Sequence, residues 1–472
     1  MSNILFPTAE LAPFVKRGGV ADVAAALPKA LRSLGHKVTV VAARTSSWED
    51  RGVLLARRLT PLTVKLGDRS VTVTVYDGRL SSQVDLCVLE WPEALTVPTL
   101  YDGDAGFNAA VFSSAIAELV VSLAASGVLT DVVHLNDWPT AAAAAKLALA
   151  RKADPALSAL KIVLTVHSFK HQGRFGRELF DTLGAPGSFD HFEFFGGVNL
   201  LKAGLVYADQ SLTVSPTYAQ EVASGAAGEG LEGVVAALPR PLGAVLNGVD
   251  ASVWNPATDS VLTARYDAEN VENRVRCKAA FVREHFGEFD PELPLCGFVG
   301  RFDAQKGVDV LLAALPALLR GTEAQFVISG EGDAALESKV RELAEASLGR
   351  VRYLGRAPEE QVRRLFSAAD VILVPSRFEP CGLVQLYAQR YGAFPVAHAT
   401  GGLRDTLVDC DAQLETGTGF LYDDDADLVG ATERALAALV HPRASALRRR
   451  IMRLDRGWER SARQLDRIYA KL

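Results

Sequence analysis

Short runs of strand-forming residues alternate with longer Ala- and Leu-rich stretches from one end of this 472-residue chain to the other. That alternation specifies parallel sheets covered by helices. Ile4-Leu5-Phe6 reads as a first strand, residues 20–34 as a helix stopped by Gly35, and residues 37–41 as a second strand, so one βαβ unit opens the protein. Further strands are predicted at 71–76, 84–89, 132–135, 162–166 and 210–214. An irregular stretch containing Asn247, Gly248, Asn255 and Pro256 follows, and then a second series begins. Its strands are predicted at 295–299, 325–328, 351–354, 371–374 and 394–397, with helices at 308–319, 336–346, 359–368 and 383–391. The expected fold class is therefore α/β, with two Rossmann-like domains over residues 1–245 and 246–445 and a C-terminal helical segment over 446–472. Open sheets of this kind bind ligands at the carboxyl ends of their strands, so a deep cleft at those ends is where function is to be sought.

Composition narrows the partners. The 50 Lys and Arg against 56 Asp and Glu leave a formal charge of −6, which argues against a polybasic nucleic-acid or membrane binder. Cys87, Cys277, Cys296, Cys381 and Cys410 are scattered, without a Cys-x-x-Cys pair or matched His spacing, and read as free thiols. No basic segment followed by an apolar run and a cleavage site opens the chain. The apolar stretch 111–128 is interrupted by Ser113, Ser114, Glu118 and Ser126, which speaks against a membrane span. A cytoplasmic protein is expected.

Four loops carry candidate chemistry. Lys16-Arg17-Gly18-Gly19 lies between the first strand and the first helix, where glycines admit a ligand to the backbone and helix amides can receive an anion. Asp22 in the following turn would equally serve the helix dipole. Gly300-Arg301-Phe302-Asp303-Ala304-Gln305-Lys306-Gly307 occupies the same place in the second domain, and Arg301 with Lys306 suits a diphosphate. It is no Walker A loop, because Gly307 follows the lysine. Ser376-Arg377-Phe378-Glu379-Pro380-Cys381-Gly382-Leu383 places a carboxylate just before a helix, where it could hold sugar hydroxyls or act as a cap. Thr400-Gly401-Gly402-Leu403 repeats the pattern of strand, small residues and helix, as a second candidate phosphate cradle. His167 ends the strand 162–166 and would face the same ends of the sheet. Asp409-Cys410-Asp411 and Asp423-Asp424-Asp425 contain Asp-x-Asp but read as solvated loops, so no metal site is assigned.

Taken together these pieces resemble the bacterial glycogen/starch synthase family. The resemblance runs along nearly the whole chain in the family's order: Lys16 with Gly18-Gly19 and Asp22; Asp137-Trp138; Thr165-Val166-His167; Gln172-Gly173; Lys202-Ala203-Gly204-Leu205; Asn247-Gly248-Val249-Asp250; Arg301 with Gln305-Lys306-Gly307; Glu379-Pro380-Cys381-Gly382-Leu383; and Thr400-Gly401-Gly402-Leu403. It implies a GT-B fold, with an acceptor-side first domain and a donor-side second. The implied activity is transfer of glucose from ADP-glucose to the non-reducing 4-hydroxyl of an α-1,4-glucan, with retention and without an essential metal or other cofactor.

By position, the resemblance gives Lys16, Arg301 and Lys306 the donor diphosphate, helped by amides near Gly18, Gly19, Thr400, Gly401 and Gly402. It gives His167 and Asn247 contacts to the donor glucose. Glu379 and the amides of Cys381, Gly382 and Leu383 would hold that sugar's hydroxyls. It also implies that a last helix with Trp458, Tyr469 and Leu472 returns to the first domain. Arg17, Asn136, Pro139, Ser168, His171 and His398 depart from the family's usual residues; Asn136 and Pro139 stand where His flanks the Asp-Trp pair. The alternatives are the same fold with another donor, such as UDP-glucose, or another acceptor, and a nucleotide-sugar or glucan-binding paralogue that regulates a true synthase.

Overall fold

Ile4, Leu5 and Phe6 are each at most 2% exposed, and the strand they form, Asn3–Pro7, is flanked on both sides. In the computed structural model, which describes residues 1–472, Lys37–Ala43 pairs with it in parallel on one side and Val132–Asn136 on the other. Lys161–Val166, Gln210–Thr213 and Gly243–Ala244 extend the sheet beyond Val132–Asn136, all in parallel. Asp85–Glu90 continues it beyond Lys37–Ala43.

The purely parallel expectation fails at that edge. Arg69–Arg79 runs antiparallel to Asp85–Glu90, and Ala56–Arg57 and Leu62–Leu66 run antiparallel to Arg69–Arg79. The reason is visible in the strand itself: most of its residues are wet, with burial confined mainly to Val73 and Val75. A strand with one solvated face belongs in a hairpin rather than under two helix layers. Gly67, at φ +58°, and Asp68 form the two-residue turn that joins Leu62–Leu66 to Arg69–Arg79.

Of the stretch 111–128, expected to be too interrupted for a membrane span, residues 111–125 belong to a continuous helix, Ala105–Ala125. It is long and apolar enough to cross a membrane by length and composition, but 67% of its most apolar window is buried inside the protein. Asp104 caps its start by accepting from the Phe107 amide. The buried Ser113 hydroxyl donates to the Pro139 carbonyl at 3.2 Å, so an interrupting polar group is satisfied in the core.

The chain divides into two bodies, Met1–Gly248 with Trp458–Leu472, and Val249–Gly457. The C-terminal stretch is therefore not one unit. Ala444–Met452 adds Leu447, Ile451 and Met452 to the core of the second body. Trp458–Lys471 belongs to the first, where Trp458, Ala462, Leu465 and Tyr469 form one apolar stripe packed with the helix Gly19–Ser33.

The second body holds six parallel strands in the order Val351–Tyr353, Gln325–Ser329, Leu295–Val299, Val371–Val374, Phe394–His398, Phe420–Tyr422. Numbered along the chain within this body, that is 3-2-1-4-5-6, the doubly wound order. The order reverses between Leu295–Val299 and Val371–Val374. In the first body the corresponding reversal lies between Asn3–Pro7 and Val132–Asn136. Both reversals leave a crevice at the carboxyl ends of the strands, and the candidate residues follow those ends.

Candidate active site

In the first body three neighbouring parallel strands deliver the candidates. After Asn3–Pro7 the chain loops back through Glu10, which is 4% exposed. Its Oε2 accepts from the amides of Arg17 and Gly18, both at 2.7 Å, and its Oε1 accepts from the Tyr101 hydroxyl at 3.1 Å. The anion position ahead of the helix Gly19–Ser33 is thus filled by the protein's own carboxylate, and the Gly18 amide is already engaged. Lys16 is exposed, with Nζ 2.7 Å from Asp22 Oδ1. Arg17 reaches Asp102 at 3.0 Å and lies over the Tyr101 ring.

Val132–Asn136 ends in Asn136, and Asp137 follows it. Asp137 holds φ +57° with an extended ψ, a conformation that costs a non-glycine residue of order 1–3 kcal/mol. Its amide donates to the Thr165 carbonyl at 3.0 Å and its carboxylate accepts from the His167 amide at 2.7 Å, so contacts to the adjacent strand hold the strained residue in place. Burial pushes the Asp137 carboxyl up to about 7. His167, directly after Lys161–Val166, is buried and places Nε2 3.0 Å from Asn136 Oδ1. Burial pushes its pKa down to about 4, so the ring is neutral at pH 7. Gly173 allows the following loop to close on Trp138, whose ring would lie 2.5 Å from a Cβ there. Asn247 lies half-buried, three residues after Gly243–Ala244.

In the second body, the loop after Leu295–Val299 and the loop after Val371–Val374 meet. Lys306 Nζ is 2.5 Å from Glu379 Oε2, with the two side chains 18% and 8% exposed, and Ser376 Oγ donates to the same carboxylate oxygen at 3.1 Å. Arg301 turns back on its own loop, to Asp303 and Gln305, both at 3.0 Å. Gly307 makes the approach of the two loops possible: it sits at φ +65°, and a Cβ there would lie 1.9 Å from the Pro375 carbonyl oxygen.

Gly402 has a similar role. Its Cβ would lie 2.2 Å from Cys381 Cα, and its amide donates to the Glu379 carbonyl at 2.8 Å. The helix start at Thr400 and Gly401 is therefore packed onto the Glu379–Gly382 segment, and the Gly402 amide is directed at the protein. Gly382 takes φ +74°, and Cys381 is buried. Leu383 precedes the helix Val384–Arg390. His398 faces the Ser376 carbonyl with Nδ1 and the Asp423 carbonyl with Nε2, at 3.0 and 2.8 Å.

The acidic loops have protein partners. Asp409 binds Arg434 and the Leu421 amide. Asp411 accepts from the amides of Gln413, Glu415 and Thr416 and from the Thr416 hydroxyl, which together hold its carboxyl below the usual range. No group of three His, Cys, Asp or Glu side chains is placed to hold a metal ion.

In the second body Lys306 and the Glu379–Gly382 segment with Gly402 are thus packed together, and Arg301 lies on the Lys306 loop, turned to Asp303 and Gln305. In the first, the Gly18 amide is held by Glu10, Lys16 pairs with Asp22 across the start of the helix Gly19–Ser33, and His167 joins Asn136 and Asp137. Glu10 is absent from the sequence motifs, and Asp137 appears there only as part of the Asp137-Trp138 pair, with no role at the site. The available signals were a carboxylate inside the apolar segment Ala9-Glu10-Leu11, and an acidic residue directly after a buried strand.

Comparisons with known proteins bear on the family and the fold. Residues 3–237 match the family model described as starch synthase catalytic domain, and residues 294–438 that of glycosyl transferases group 1. A glycogen synthase of Anaeromyxobacter sp. (strain Fw109-5) is 38% identical over 479 residues, spanning 100% of this chain and 99% of that protein. One from Leptothrix cholodnii is 39% identical, spanning 100% of this chain and 99% of that protein. The catalytic domain of starch synthase IV from Arabidopsis thaliana, solved with ADP and acarbose, superposes with a TM-score of 0.90 at 28% identity, covering 100% of this chain and 99% of that one. Sucrose-phosphate synthase from Thermosynechococcus elongatus shares the fold, with a TM-score of 0.62 at 19% identity over 100% of this chain and 99% of that one. With relatives matched end to end at this level and each sheet carrying its candidate residues at the strand-order reversal, the chain belongs to the glycogen/starch synthase family, retaining glycosyltransferases of the GT-B fold.

Proposed function

We infer that this protein is a cytoplasmic glucan synthase that moves glucose from ADP-glucose to the non-reducing 4-hydroxyl of an α-1,4-glucan, retaining the anomeric configuration and needing no metal. The observation that carries this reading is the Lys306–Glu379 pair at the strand-order reversal of the second body, with Arg301 on the same loop as Lys306. Each proposed diphosphate ligand is held by a carboxylate in the ligand-free protein: Lys16 by Asp22, Arg301 by Asp303, Lys306 by Glu379. Exposed pairs such as the first two are worth about 0–1 kcal/mol, so exchange for a doubly charged diphosphate is cheap. The third is buried, and its exchange has a second result. When Lys306 turns to phosphate, the Glu379 carboxylate is released to accept from the hydroxyls of the donor glucose.

Lys16, Arg301 and Lys306 neutralise the leaving ADP, with amides near Gly19, Thr400 and Gly401 assisting. His167 and Asn247 contact the donor sugar, and the backbone of Cys381, Gly382 and Leu383 lines it beside Glu379. The acceptor hydroxyl attacks from the face the phosphate leaves, and a phosphate oxygen takes its proton. Catalysis is then mostly positioning and charge stabilisation. The raised pKa of Asp137, next to His167, supports a further place for that carboxyl among the groups facing substrate.

The decisive experiment incubates the purified chain with ADP-glucose or UDP-glucose and with glycogen or short maltooligosaccharides. Glucan elongation from ADP-glucose is expected. Elongation only from UDP-glucose would replace the donor, and nucleotide binding without transfer or donor hydrolysis would replace the enzyme with a binding protein.

A further inference from the structure

The Asn136 amide is a fully determined hydrogen-bonding group. Its Nδ2 faces two carbonyl oxygens, Pro7 at 3.0 Å and His134 at 3.2 Å, and those acceptors require the NH2 end of the side chain. The oxygen end therefore faces His167, with Oδ1 3.0 Å from Nε2. An amide oxygen can only accept, so Nε2 must carry the hydrogen. Asn136 is 2% exposed and His167 9%, so little water competes for these bonds. With the ring neutral, Nδ1 has no hydrogen and is left as an acceptor, and the protein supplies it no donor.

From this we propose that Asn136 is a positioning residue which locks His167 in the Nε2–H tautomer, so that Nδ1 serves as a hydrogen-bond acceptor for one hydroxyl of the sugar donor. The device belongs to this chain's own sequence, since the family pattern has histidine where Asn136 stands. A neighbouring imidazole can present either a donor or an acceptor, whereas an amide whose NH2 is held by two carbonyls presents one choice. Burial and the absence of a cationic neighbour at Nε2 keep the ring uncharged, consistent with its lowered pKa. Glu10, the nearby carboxylate, opposes this, but burial outweighs it. The tautomer follows from the ligand-free protein, whereas the hydroxyl contact rests on the proposed role of His167 in donor binding.

The two parts are tested separately. Long-range proton–nitrogen correlation on the full-length protein with 15N-labelled histidine rings, without substrate at pH 7, reads the tautomer directly; the spectrum of His167→Gln identifies the signals of this ring. A protonated Nε2 and a bare Nδ1 are expected. A protonated Nδ1, or an averaged pair, overturns the assignment whether or not any variant folds. In Asn136→Leu the preference should be lost and kcat/KM for ADP-glucose should fall about tenfold, the worth of one hydrogen bond to a buried group. A wild-type tautomer and wild-type kcat/KM in that variant would remove Asn136 from the role. For the contact, monodeoxy analogues of the donor glucose should include one position whose loss lowers kcat/KM about tenfold in the wild type but less than about twofold in His167→Ala. If no position behaves so, His167 accepts from no donor hydroxyl, even though the tautomer stands.

Discussion

Replacing Lys306 with Met removes a cation while keeping most of the side chain's length. The Glu379 carboxylate then stays 8% exposed, with the Ser376 hydroxyl as a remaining donor. Removing one partner of a buried ion pair costs about 3–5 kcal/mol because the other charge is left stranded. Here the lysine end is 18% exposed and admits some water, so about 2–3 kcal/mol is the expected loss. For a body of this size, 1 kcal/mol moves Tm by about 2–4 °C, and the shift should be roughly 5–10 °C by calorimetry. Glu379→Gln should cost less, about 1 kcal/mol, since the freed lysine can swing into water. The functional readout is independent of this loss. ADP at a hundred times its wild-type Kd stabilises the wild type by about 2.7 kcal/mol; if Lys306→Met weakens binding about tenfold, the same concentration gives about 1.4 kcal/mol. Turnover should fall at least about tenfold in both variants. A Lys306→Met protein with unchanged Tm, the full ADP shift and turnover within twofold of wild type would refute both the energetic and the catalytic argument.

Asp303→Asn keeps the acceptor for the Lys306 amide but frees Arg301 from its ion pair; donor KM should drop about two- to fivefold, measured at low salt and vanishing at high salt. Gly402→Ala should strongly destabilise the second body, because the new methyl meets Cys381 backbone at 2.2 Å, whereas Gly430→Ala, in the helix Leu428–Leu439 with nothing within 4 Å, should stabilise by about 0.5–1 kcal/mol; denaturant melts of the pair separate close approach from simple flexibility. Acid stability carries a sign that can be worked out. Burial lowers His134 to about 3 and His167 to about 4, so the unfolded chain takes up their protons first and each contributes stability that is lost as pH falls below about 6.5. Asp137, raised to about 7, does the opposite: its contribution is present at low pH and lost as pH rises through 7. Between pH 7.5 and 5.5 the first body should lose about 1 kcal/mol in the wild type but about 3 kcal/mol in Asp137→Asn; equal losses would show that one of these groups is not buried as described.

The two sheets were legible because their strands are apolar on both faces. Leu295–Val299 and Val371–Val374 fall where the runs of buried side chains predict them. The hairpin of Leu62–Leu66 and Arg69–Arg79 was harder, because alternating exposure fixes a strand without saying which neighbour it pairs with. The helix Ala105–Ala125 was obscured by Ser113 and Ser114, which reduce hydropathy in a window yet are buried in the core, where the Ser113 hydroxyl reaches the Pro139 carbonyl and the Ser114 hydroxyl has no partner.

Cationic residues of the candidate site were found for a related reason. Lys16, Arg301 and Lys306 lie beside glycines in βα loops, and a charge next to a glycine is a local pattern. Glu10 and Asp137 escaped because their meaning is not local. Glu10 matters through amides seven and eight residues on and a tyrosine hydroxyl 91 residues away; Asp137 matters through a backbone strain that only the adjacent strand sustains. The glycines were legible as necessary but not in their purpose. Gly18 and Gly402 suggest amides offered to phosphate, yet each donates inward, to the Glu10 carboxylate and to the Glu379 carbonyl. A Gly-rich turn fixes how closely two backbones approach, and which groups its amides then meet is decided by what the fold brings alongside. In this protein that is first its own acidic residue or carbonyl, so anion binding there has to compete with an acceptor already in place.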